Sequence, residues 1–142
     1  MLSSDIRFAS KEASFGLPEV KWGIYPFGGA TSKLTNQINY VEAMRLILSA
    51  EMVSASEALR VGLINQIVSS ENVKETAIEM AKKIAMNSPV AAQAVKSHIS
   101  KGLADASKAR ESEEQRHGDQ VRLSSDFTEG VAAFREKRLP NY

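Results

Sequence analysis

One carboxylate, Glu19, stands directly after Pro18 in a largely apolar stretch, Phe15-Gly16-Leu17-Pro18-Glu19-Val20-Lys21-Trp22-Gly23-Ile24-Tyr25-Pro26-Phe27-Gly28-Gly29-Ala30-Thr31. Desolvation favours the neutral form of a carboxylate set among apolar groups, and an acid tuned in that way suits proton transfer. A little further on, Gly28-Gly29 opens what reads as a helix through Leu34 and Ile38. Free N–H groups at a glycine-rich helix start favour a negative charge or the oxygen end of a dipole. The chemistry on offer is a proton-transfer acid close in sequence to a polarising helix end. The same pattern also fits an ordinary strand, turn and helix with an exposed glutamate. On pattern alone that plainer reading leads.

The elements that must position these groups are read from periodicity. Val20, Trp22 and Ile24 alternate with Lys21 and Gly23, which predicts a half-buried strand from Phe15 to Ile24, stopped by Pro26. Ahead of it, Ile6, Phe8 and Ala9 predict a short first strand ending in Ser10-Lys11-Glu12. No strand precedes that one, so its edge is expected to be unpaired. Val41, Met44, Ile47 and Leu48, with Ala43, mark one face of a helix. Ser54-Ala55-Ser56-Glu57 is a capping box whose short helix ends near Gly62, and Leu63 to Val68 reads as a brief strand.

The rest is helical. Ser69 to Asn72 start a helix with Val73, Ala77, Met80, Ala81 and Ile84 on one face. Ser88-Pro89 opens the next, with serine as N-cap and proline in the first turn, and Val90, Ala91, Ala94, Val95 and Ile99 as its apolar face up to Gly102. Asp105 to Leu123 is the most polar stretch, expected to face solvent or another subunit. Asp126 with Glu129 caps a last helix bearing Phe127, Val131 and Phe134. No repeat or linker interrupts the chain. It reads as one unit, with strands and pocket in residues 1–68 and a helical region in 69–142.

Composition narrows the function classes. The 142 residues are 43% apolar and 25% charged, ordinary for one globular domain. Eighteen Lys and Arg against 17 Asp and Glu leave no bulk field that would draw nucleic acid or an anionic membrane. The absence of cysteine removes disulfides, thiolate metal sites and a cysteine nucleophile. No apolar run is long enough to span a bilayer, and the N-terminus lacks a signal-peptide profile. His98 and His117 have no partners at metal-ligand spacing, so no metal site is predicted, and a Ser-His-Asp triad has no support.

Taken together, several segments resemble the crotonase (enoyl-CoA hydratase/isomerase) superfamily. They are Ser4 to Ser10, Phe15 to Val20, Gly23-Ile24-Tyr25-Pro26 with Gly28-Gly29 and Leu34, Ser56 to Asn65, Asn87-Ser88-Pro89, and Phe134 to Pro140. They run in family order through nearly the whole chain. The resemblance implies an α/β crotonase-like (ClpP/crotonase) fold, with a few short strands followed by a mainly helical C-terminal region. It covers only the C-terminal half to two-thirds of a typical member. Family members grip an acyl-CoA thioester carbonyl between two backbone N–H groups and stabilise the enolate there. Both of those segments, and the hydratases' other catalytic glutamate, match sequence upstream of Met1. The expectation is therefore a member truncated at its front, holding half of a site.

What the resemblance implies for single residues is narrower. Glu19 matches the glutamate that transfers a proton to or from the acyl chain, and the lone proton shuttle of some isomerases. Phe27 stands where dienoyl-CoA isomerases place an aspartate, which disfavours that activity and puts a ring at the acyl pocket. Trp22, Tyr25, Phe27 and Gly28 are candidate substrate-binding positions, with core the plainer role for Trp22 and helix geometry for Gly28. Lys137 is the candidate near the CoA phosphates, although a basic helix end also serves the dipole. No cofactor is implied, since CoA is part of the substrate. Trimers or hexamers built through the last helices are expected. So is a role in fatty-acid β-oxidation, in the cytoplasm or, with a targeting segment upstream, an organelle matrix. The functional expectation is hydration of 2-enoyl-CoA thioesters. A single-glutamate enoyl-CoA isomerase and a catalytically inactive assembly module stand beside it.

Overall fold

Proline and glycine, more than hydrophobic alternation, decide how the front of the chain folds. The computed structural model describes all 142 residues, Met1 to Tyr142. Strand β1, Phe8–Ser10, pairs in parallel with β4, Gln66–Val68, and β2, Ser14–Phe15, pairs antiparallel with β3, Val53–Ser54. Parallel neighbours need a crossover. Here it carries α1, Ala30–Gln37; α2, Tyr40–Ser49; and α3, Ala55–Arg60. Arg7 and Asn65 seal the junction: the Arg7 N–H donates to Asn65 Oδ1 at 2.7 Å and the Asn65 N–H to the Arg7 carbonyl at 2.8 Å.

The strand expected from Phe15 to Ile24 is not formed beyond Phe15. Pro18–Trp22 is a 3-10 helix, with Pro18 at its start and Gly23 ending it at φ 61°. Proline presets φ and lacks an N–H for a ladder, so the turn wins over the alternation of Val20, Trp22 and Ile24. In α2 the buried residues are Ala43, Leu46 and Ile47, whereas Val41 and Leu48 are exposed, so its core face is rotated from the expected one.

The core gathers Ala9, Leu34, Ile38, Ala43, Leu46, Ile47, Val53, Ala55, Ala58, Val61, Leu63 and Ile64. Beyond it run α4, Val73–Ala85; α5, Pro89–Ala109; α6, Glu111–Arg122; and α7, Ser125–Glu136. Ser88 caps α5 by accepting the Ala91 N–H at 3.4 Å, with Pro89 in the first turn as expected. The polar stretch from Asp105 is not one helix, because α5 ends at Ala109 and α6 starts at Glu111. The cap of α7 is Ser124, which accepts the Phe127 N–H at 3.2 Å, in place of Asp126. No helix is long and apolar enough to cross a membrane.

Candidate functional site

Glu19 occupies the first turn of the 3-10 helix, half-buried. Two carboxylate oxygens of the protein are buried without a hydrogen-bond partner, one on Glu19 and one on Glu51. That of Glu51 lies against the Arg45 guanidinium. Glu19 Oε2 has no such counter-charge. A buried carboxylate oxygen left unpaired is costly, and such groups in native proteins call for a functional account.

The backbone carrying Glu19 is closed by the Ile24 N–H donating to the Glu19 carbonyl at 3.0 Å and the Gly23 N–H to the Val20 carbonyl at 3.3 Å. Helix α7 packs on this turn at van der Waals distance. A Cβ on Gly23 would stand 2.4 Å from the Asp126 carbonyl oxygen, and one on Gly130 would stand 2.0 Å from that of Trp22. Both positions require glycine. Trp22 meets Phe134 edge to face at 5.2 Å between ring centroids, so its indole serves the packing of α7.

Helix α6 takes the residues that follow. The Phe27 ring sits on Gly118, where a Cβ would fall 1.8 Å from the ring tip. Tyr25 meets Phe27 edge to face at 5.5 Å and stacks on His117 at 6.4 Å, while the Arg122 guanidinium lies 5.6 Å over the Phe27 ring. The start of α1 is also occupied from α6. The Gly29 N–H donates to both carboxylate oxygens of Glu114 at 3.1 Å. The polarising helix end therefore carries a carboxylate of the same chain, a pairing that its partial positive charge favours. Sequence reading missed Glu114, which is 85 residues from Gly29, and no local signal marks it.

A cleft of about 480 Å³ is walled by apolar residues including Phe15, Leu17, Leu34, Leu46 and Met52, with Gly28 also lining it; Leu17 immediately precedes the Glu19 turn, and Glu19 itself is not part of the wall. Its one charged side chain is Lys33, also unforeseen, whose Nζ donates to Ser3 Oγ and the Gly28 carbonyl at 3.3 Å. The wall and the single ammonium suit an apolar chain with a polar head. Of the sequence candidates, Gly28 lines this cleft, Leu17 brings the Glu19 turn to it, and Tyr25 and Phe27 pack on α6. Lys137 ends α7 at φ 55° and lines neither this cleft nor the larger groove beneath α5. No group of three or more His, Asp or Glu side chains is arranged around a metal-sized space.

With this geometry in place, comparison with known proteins is specific. The enoyl-CoA hydratase/isomerase family model matches residues 1–142. An enoyl-CoA hydratase of Mycobacterium tuberculosis is 37% identical over 139 residues, 98% of this chain and 52% of its own length. The short-chain-enoyl-CoA hydratase of Clostridium acetobutylicum is 39% identical over 138 residues, covering 96% of this chain and 52% of its own. Among solved structures, a carnitinyl-CoA hydratase from Mycobacterium avium superposes with a TM-score of 0.87 at 38% identity, over 99% of this chain and 55% of that one. The chain thus spans about half the length of the relatives it matches.

Proposed function

The chain belongs to the enoyl-CoA hydratase/isomerase family and has the crotonase α/β fold, and we propose that it serves the hydration of 2-enoyl-CoA thioesters with Glu19 as acid/base. The observation that carries this is the Glu19 carboxylate oxygen, buried, unpaired and held on a hydrogen-bonded turn whose preceding residue, Leu17, lines an apolar cleft. A proton-transfer group must be free to bond the reacting atoms, and a carboxylate already engaged in ion pairs is not. The relatives named above as enoyl-CoA and carnitinyl-CoA hydratases support an acyl-CoA substrate. The acyl chain would lie along Phe15, Leu17, Leu34 and Leu46, with Gly28 also lining the cleft. Tyr25 and Phe27 would shape the site through α6, and Lys137 would meet the CoA phosphates. No cofactor beyond the substrate's own CoA enters this reading.

In the hydration step, water adds across the conjugated double bond. Its oxygen bonds to the β-carbon while the α-carbon gains a proton, and the charge developing on the thioester oxygen needs backbone N–H donors. Glu19 would move the proton at the acyl chain. We further propose that copies of the chain assemble through the helical region 69–142, as trimers or hexamers.

The test is turnover of crotonyl-CoA, read as loss of the conjugated enoyl absorbance. Glu19→Gln should lower it by about 10²- to 10⁴-fold, the usual worth of a positioned acid/base. Turnover indifferent to that substitution would overturn the reading. A second reading, double-bond isomerisation, is favoured by the cleft wall, which carries no carboxylate of its own and so offers Glu19 no second acid to work with. A 3-enoyl-CoA that becomes conjugated without being hydrated would establish it. A folded chain inert to both thioesters would leave an assembly module.

A further inference from the structure

The carboxylate of Glu19 has an oxygen with no hydrogen-bond partner, so its position depends on the backbone that bears it. The two hydrogen bonds that close that turn are internal to it. The Tyr142 hydroxyl adds a third from outside, donating to the Lys21 carbonyl at 2.9 Å. That carbonyl belongs to the end of a short helix, where no later N–H in the helix is available to it.

Tyr142 reaches Lys21 because the chain after α7 turns back. Lys137, at φ 55°, makes the turn. Arg138 then grips Glu129 with two hydrogen bonds, of 2.5 and 3.0 Å, and the Asn141 N–H donates to the same carboxylate at 2.8 Å. Planar two-point pairing of this kind fixes direction as well as distance. The Tyr142 oxygen also lies at the close approach of Gly130 to the Trp22 carbonyl, 2.9 Å from where a Cβ would stand. Partial desolvation of the phenol, on a residue that is otherwise exposed, and the nearby carboxylates of Asp126 and Glu129 push Tyr142 up, which keeps its proton available for donation.

We propose that residues Arg138 to Tyr142 are a latch on the Glu19 turn, with Tyr142 as a positioning residue that acts on Glu19 through the Lys21 carbonyl. The proposal rests on the reading of Glu19 as the acid/base. Glu129 is the catch that holds the latch, and the glycines at positions 23 and 130 let it close on bare backbone.

Trp22 is the single tryptophan of the chain; its ring packs on Phe134 of α7 and its carbonyl lies at the Gly130 approach that the Tyr142 oxygen also meets, so its fluorescence reports on the turn that the latch holds. The experiment compares the full chain with Tyr142→Phe, which removes one oxygen and leaves the ring, and with Glu129→Gln. Amide exchange at Gly23 and Ile24 should speed up roughly three- to tenfold in both variants, the effect of one hydrogen bond. Acrylamide quenching of Trp22 should rise with it, while exchange at Leu46 and Ile47 in the core stays unchanged. Turnover of crotonyl-CoA should fall in kcat with KM held. If Trp22 and the two amides do not respond to Tyr142→Phe, the latch is overturned, whatever Glu19→Gln does to turnover. If they respond while Glu19→Gln leaves turnover intact, the latch stands and the acid/base reading falls.

Discussion

Residues 9–64 and residues 69–123 both carry helices with apolar side chains at helical spacing, yet they use them differently. The first region buries twelve apolar residues in a single cluster. In the second, only Gly118 is buried, and Val90, Val95 and Ile99 of α5 are 80%, 59% and 57% exposed. The helices of the first region are short, and turns at Ala50 and Gly62, both at positive φ, send them back across one another. Those of the second are longer, and α5 runs to 21 residues from its capped Ser88-Pro89 start, long enough to draw on capping and propensity. Stability should therefore reside in the front region, while the back region contributes position. Glu114 holds the start of α1 and Gly118 seats Phe27, and α7 beyond them clamps the Glu19 turn.

The largest expected effect tests the first half of that contrast. Leu34 and Leu46 are 2% and 3% exposed, and truncating either to alanine should cost about 2–5 kcal/mol in urea unfolding. A loss below about 1 kcal/mol would mean that the front cluster is not the stabilising core. Next comes the seat of Phe27. Gly118→Ala places a methyl group inside the ring position and should destabilise by about 1–3 kcal/mol. Adding Phe27→Ala should recover much of that loss, because the clash then has no second partner. Additive losses in that double-mutant cycle would show that α6 is not seated through this pair.

The legibility of the fold divides along the same line. Ser54 with Glu57 and Ser88 with Pro89 are local signals, and each sits at a helix start in the structure. Gly28-Gly29 opens α1 with both residues at positive φ, again as their type suggests. The strand read from Phe15 to Ile24 failed because alternation of apolar residues does not outweigh a proline at one end and a left-handed glycine at the other. The break at Arg110 has neither proline nor glycine to announce it. Glu19 was legible as a candidate from its apolar neighbours, whereas its lack of a partner is a fact of packing. Glu114 and Tyr142 act on backbone 85 and 121 residues away, a range that periodicity does not reach. Gly130, isolated inside the helical pattern of α7, is the one local hint of the Tyr142 contact, and Glu114 has none.

A smaller effect separates the two regions by pH. Hydrogen bonds from Arg138, and then from the Asn141 N–H, hold the Glu129 carboxyl down to about 2. A carboxylate depressed on folding contributes stability that is complete above its unfolded value, about 4.3, and is lost as pH falls through its folded one. The tail should therefore release from Lys21 as pH falls from about 4.3 toward 2, read as a rise in Trp22 quenching. Glu42 and Glu57 are lowered too, each chiefly by hydrogen bonds from Arg60, so the front region also loosens in acid. Glu129→Gln separates the two, since it should abolish the Trp22 transition and leave the loss of core amide protection in place. A Trp22 transition that survives Glu129→Gln would put its cause in the front region.

The smallest effect on stability carries the sharpest statement about the helical region. Val95 and Ile99 lie on successive turns of α5, and both line the groove that runs beneath it. With more than half of each side chain in water, Val95→Ser with Ile99→Ser removes little buried area, so unfolding free energy should shift by no more than about 0.5 kcal/mol. The exposed apolar face has a cost that a lone copy does not recover, and burial against a second copy would recover it at about 25 cal/mol per Å². If the helical region is the assembly face, the same double substitution should lower the sedimenting mass of the chain while its urea midpoint stays put. An unfolding free energy that falls by several kcal/mol in the monomer would erase the contrast between the two regions, because it would place core where the structure shows only surface.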